Sequence, residues 1–107
     1  MQRRASENDL ATVRAALGAS DAPRLATALG DLRARFPGDP EVARLEAQAA
    51  LARGDREGAL RRLVQALALD SHHVPSWHDL GTLYIALRQP TQAVEAFQRA
   101  LTVDGKA

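Results

Sequence analysis

The 107 residues contain no cysteine. That excludes disulfides, a thiol nucleophile and thiolate-bound zinc. It is compatible with a reducing compartment, and a cytoplasmic location is the expectation. Aromatic residues are scarce: Phe36, Trp77, Tyr84 and Phe97 are the whole set. Set among abundant Ala and Leu, so few aromatics suit closely packed helices better than a sheet. Charge of one sign is lacking as well. The formal net charge is +1, which supplies no field to draw in nucleic acid or an anionic membrane, so neither is expected as a partner. No apolar run approaches the roughly 18 residues that a membrane span needs. The polar stretch from Met1 to Asp9 lacks the apolar core of a secretory signal. No glycine-rich phosphate loop, Ser-His-Asp constellation or nucleophile motif occurs. Intrinsic catalysis and a cofactor are therefore not expected, and a single domain spanning 1–107 is.

The most informative stretch runs from Val74 to Asp104. Trp77, Leu80, Leu83, Tyr84 and Leu87 recur at spacings of three and four and share one face of a helix. Val94, Phe97 and Leu101 do the same for a second helix, and Arg88-Gln89-Pro90 separates the two, with Pro90 suited to a first helical turn. Gly81, Ala93 and Ala100 are small where a larger side chain would overpack a close crossing. This arrangement of Trp, Leu-Gly, Tyr, Ala and Phe resembles the tetratricopeptide repeat, a unit of 34 residues that forms a helix–turn–helix. The resemblance implies an all-α, right-handed solenoid.

Stepping back by 34 residues from Val74 lands on Pro40. Ala59, Ala66, Leu67 and Asp70 then stand in register with Ala93, Ala100, Leu101 and Asp104, and Leu63 with Phe97. Gly54-Asp55 supplies a C-cap glycine followed by an N-cap. The first helix of this unit is weaker, because Glu46 stands where Leu80 does and Ala43 where Trp77 does. One more step back reaches Ser6 and a degenerate unit, 6–39, that ends in the Phe36-Pro37-Gly38-Asp39-Pro40 punctuation. The reading is three units, 6–39, 40–73 and 74–107. Their six helices span 7–18, 22–35, 41–53, 56–69, 74–87 and 90–103. The first unit is expected to act as a cap. Gly105 stands where the family often has proline, and no further helix follows. The last helix is therefore expected to expose Val94, Phe97 and Leu101, either as an end face that meets another subunit, including a homodimer, or because the chain is a piece of a longer protein.

Candidate chemistry is thin. His72, His73 and His78 invite a metal reading, since imidazole binds zinc. However, two of them lie in a turn and no HExxH spacing occurs, so no metal is expected. Glu41 with Glu46 and Glu7 with Asp9 are spaced like solvated helix residues. Arg53, Arg56, Arg61 and Arg62 form a basic cluster with Asp55 and Glu57 interleaved. It reads as a solvated helix face, with RNA or phosphate binding as the sharper alternative.

The resemblance implies one more site. In this family the first helices of successive pairs line a concave groove that holds a peptide or partner helix. The contacting positions carried over are Glu7, Leu10, Arg14 and Leu17, then Glu41, Arg44, Gln48 and Leu51, then Pro75, His78, Thr82 and Ile85. Arg14, Arg44, Gln48, Leu51, His78, Thr82 and Ile85 are the candidate groove residues. Their mixture suits a protein or peptide segment with acidic or amide character. The chaperone-binding subtype, which clamps a C-terminal carboxylate, is not expected, because Asp79 stands where that clamp wants a donor. The function expected is protein–protein interaction through this groove. The alternative is a structural or oligomerisation segment of a larger multidomain protein or enzyme, acting through the end face.

Overall fold

A computed structural model describes residues 4–103, and the Asp104, Gly105 and residue-107 readings lie outside it. Six helices make up the described chain: α1 Glu7–Ala19, α2 Ala22–Arg35, α3 Pro40–Ala52, α4 Arg56–Leu69, α5 Val74–Ala86 and α6 Pro90–Val103. They pair as α1–α2, α3–α4 and α5–α6. Their bounds depart from the sequence reading by one residue at most.

The sequence sets each start and stop by local chemistry. Ser6 accepts from the Asp9 backbone N–H while the Asp9 carboxylate reaches back to Ser6, closing a capping box on α1. Asp21, Asp39 and Asp55 each accept a backbone N–H at the start of α2, α3 and α4. Inside each pair the turn needs one left-handed residue. That residue is Ser20, Gly54 or Arg88, with φ of 56°, 81° and 60°. The three positions lie one repeat apart. Glycine takes the conformation freely, whereas Ser20 and Arg88 bear roughly 1 kcal/mol of strain each.

The core falls into two clusters that share α3. Val42, Leu45 and Ala49 face the first unit, where they meet Leu10, Val13, Leu29, Leu32 and Phe36. Ala47 and Ala50 face the other way, toward Ala59, Leu63, Leu80 and Leu83. A helix covered on both sides has room for little more than alanine, which explains its pale periodicity. Glu46 is also buried there, at 7% exposure, and α2 supplies its counter-charge through an ion pair from Arg33. The glutamate that looked out of place in the sequence is therefore paid for by a neighbouring unit.

Small residues set the closeness of each pair. A Cβ on Gly81 would lie 2.7 Å from the ring of Phe97. Ala47, Ala59 and Ala66 stand at the same three positions in the middle unit as Gly81, Ala93 and Ala100, all buried. The first unit has Val13, Leu25 and Leu32 there instead. These wedge α1 from α2, and an open cleft of about 710 Å³ lies between them, lined by Asn8, Thr12, Thr27, Asp31 and Arg35 among others. Pro23, Ala28 and Leu32 line it as well, so the cleft is mixed in character.

Gly81→Ala should cost about 1–3 kcal/mol by overpacking against Phe97. Gly30→Ala, where nothing lies within 4 Å, should instead gain about 0.5–1 kcal/mol. Urea denaturation of both variants checks the pair of signs.

Candidate functional site on the inner face

The first helices of the three pairs, α1, α3 and α5, form one wall, and a ladder of ion pairs crosses it. Arg14 lies 3.8 Å from Glu7 on its own helix and 3.3 Å from Glu41 on α3. Arg44 lies 3.0 Å from Glu41 and donates from Nε to Asp79 on α5 at 2.7 Å. His73 closes the side, with Nε2 3.5 Å from Glu41 and Nδ1 2.7 Å from the buried hydroxyl of Ser76. Burial works to lower the pKa of Arg44, but the Asp79 and Glu41 carboxylates outweigh it and hold the guanidinium above its ordinary value. Arg44 is thus a structural tie between α3 and α5.

Beyond the ladder the wall turns apolar. Gln48 and Leu51 on α3 and His78, Asp79, Thr82, Leu83 and Ala86 on α5 line a shallow depression of about 340 Å³. Four of the expected groove residues, Gln48, Leu51, His78 and Thr82, therefore come together. Thr82 donates to the His78 carbonyl, and the His78 ring meets Phe97 edge-on at 5.4 Å. Arg14 and Arg44 sit in the ladder, and Ile85 stands outside the depression at 59% exposure. Leu10 is core. The acidic side of the expected partner loses its main donor, because Arg44 already has two carboxylates.

At the other candidate surface, Val94 is 54% and Leu101 62% exposed. Phe97 differs: its ring is half-buried against Gly81 and His78. It belongs chiefly to the α5–α6 crossing. Among the described residues no group of three His, Cys, Asp or Glu is placed to hold a metal ion. His73 faces Glu41 while His78 faces Phe97.

A family model described as tetratricopeptide repeat matches residues 50–107, just over half of the sequence. The chain belongs to the tetratricopeptide repeat family. The crystal structure of MamA superposes with a TM-score of 0.75 over 91% of this chain, at 16% identity. The chain spans 57% of MamA's length. At that identity the likeness speaks for the shared helical-repeat fold. No curated protein matches the chain. Tetratricopeptide repeats are protein-interaction modules, and that coarse function follows from membership.

Sequence reasoning missed Glu41 and Asp79 as partners of the arginines. A signal was present: Arg44 and Asp79 are one repeat plus one residue apart, so stacking in register brings α3 and α5 positions side by side.

The ladder carries a pH dependence. Burial is the main cause that pushes His73 below its ordinary 6.5, with Arg44 adding to it and Glu41 opposing. The unfolded chain then takes up a proton that the folded chain resists, so stability should fall as pH drops below 6.5. Urea midpoints at pH 7.5 and 5.5 should differ more for the native chain than for His73→Gln.

Proposed function

We propose that this repeat domain holds a segment of a partner protein in the α3–α5 depression, and that the segment presents an uncharged aliphatic side chain there. The observation that carries the reading is the pairing of Arg44 with both Asp79 and Glu41 beside an apolar hollow. Breaking that pairing to bind an acidic partner would leave carboxylates unpaired, which costs more than a surface ion pair returns. An aliphatic group entering the hollow buries apolar area without disturbing the ladder. The amide of Gln48 and the ring of His78 remain to meet the peptide backbone. Catalysis plays no part.

A fluorescence anisotropy panel of short peptides tests this. Neutral leucine-bearing peptides should bind, and Thr82→Arg, which fills the hollow from an exposed position, should weaken them at least about tenfold, or ~1.4 kcal/mol. Arg44→Lys, which keeps a cation between Asp79 and Glu41, should change that binding little. Tighter binding of acidic peptides, lost in Arg44→Ala, would overturn the reading.

A second reading places self-association at the end face. Leu60 and Leu67 on α4 are packed beside α5 in the second core cluster, whereas Val94 and Leu101 stand one repeat later and largely exposed. The occupant would be a second copy, face to face about a two-fold axis, so that the same apolar residues cover each other in a closed dimer. Light scattering should then show a concentration-dependent dimer that Leu101→Glu abolishes. Leu101 serves better than Phe97, whose replacement would disrupt the α5–α6 crossing. A monomer at every concentration rejects this reading.

A further inference from the structure

On the outside of the middle unit, Arg53 at the end of α3 and Arg61, Arg62 and Gln65 on α4 surround a cleft of about 340 Å³, with Ala50 and Gly58 as its floor. We infer that this cleft is an anion site for a phosphate-type group carrying two negative charges. The inference goes beyond the groove reading and concerns a different surface.

Packing does not require these arginines. At the position of Arg53 the other two units carry Ala19 and Leu87. At that of Arg61 they carry Thr27 and Glu95, and at that of Arg62 Ala28 and Ala96. The repeat closes with any of these. Arg62 flanks the buried Glu46 and donates to Gln65, but Arg53 and Arg61 answer to something other than the fold.

The local charges do not cancel. Arg33 and Arg62 flank the same oxygen of Glu46, whose side chain is buried. Asp55 is held by its cap to the Gly58 N–H and lies 3.8 Å from Arg53. Arg61 makes no ion pair or hydrogen bond among the described residues, although Glu57 stands one turn earlier on α4. Three guanidinium groups thus line the cleft, and of the three carboxylates near them Glu46 and Asp55 are already engaged. A concave site with an unpaired guanidinium concentrates an anion, and the planar fork of arginine matches phosphate oxygens two at a time.

The test is a titration of the 107-residue chain with inorganic phosphate, followed by amide chemical shifts at pH 7.5 and constant ionic strength. Saturable shifts should gather on Gly58, Arg61, Arg62 and Gln65. Arg61→Gln and Arg53→Gln should each weaken binding about tenfold with helicity unchanged. A phosphoserine peptide that binds more tightly than a sugar phosphate would place the group on a partner protein. Equal binding would point to a free small phosphate, and both results uphold the site. Shifts that do not saturate, that survive Arg61→Gln, or that sodium chloride alone reproduces would overturn it.

Discussion

The close crossing of two helices at small side chains is the constraint on which the rest of this structure depends. Where position after position offers Gly81, Ala93 and Ala100, or Ala47, Ala59 and Ala66, the paired helices can lock with Phe97 or Leu63 inserted between them. That closeness sets the repeat geometry, because each pair then presents a shaped face to the next. The tight van der Waals contact is individually weak and collectively large, and it punishes any added methyl group. The first unit shows what happens without it. Val13, Leu25 and Leu32 fill its crossing with bulk, and α1 and α2 diverge around an open cleft of mixed character.

Regular stacking then brings distant charges within reach. Glu7, Arg14, Glu41, Arg44 and Asp79 alternate in sign across three helices that are neighbours only because the units stack. Partly buried pairs of this kind add little net stability for their desolvation, but they fix how one unit sits on the next. They also spend the charge of the inner face. The two sides of the molecule therefore differ in kind. The inner wall offers an apolar hollow beside neutralised arginines, and the outer side of the middle unit holds Arg61, which makes no ion pair among the described residues. The recognition chemistry follows that division.

Much of this was legible in the chain. Helix bounds were, because residues such as Gly54 and Asp55 announce a stop and a start through their own backbone preference and hydrogen bonding. The 34-residue spacing was, and the family resemblance it supported implied Gln48, Leu51, His78 and Thr82, which line one depression. Glu46 was not, because its partner Arg33 comes from a different unit and periodicity along one helix cannot see across units. Arg44 misled for the same reason: sequence spacing shows which face a guanidinium occupies, not that Asp79 will meet it. Phe97 was read as part of an exposed stripe because a helical wheel does not show how deeply Gly81 lets a ring enter.

The central claim is that the α3–α5 hollow, with the ladder intact, is the binding surface. The most direct measurement is an amide chemical-shift map of the chain in the presence of a neutral, leucine-bearing peptide, with the Arg44 and Asp79 signals followed alongside. The account predicts shifts gathered on Gln48, Leu51, His78, Thr82 and Ala86, with the Arg44–Asp79 pair undisturbed. Shifts gathered instead on Val94 and Leu101, or binding that appears only when an acidic peptide separates Arg44 from Asp79, would contradict it.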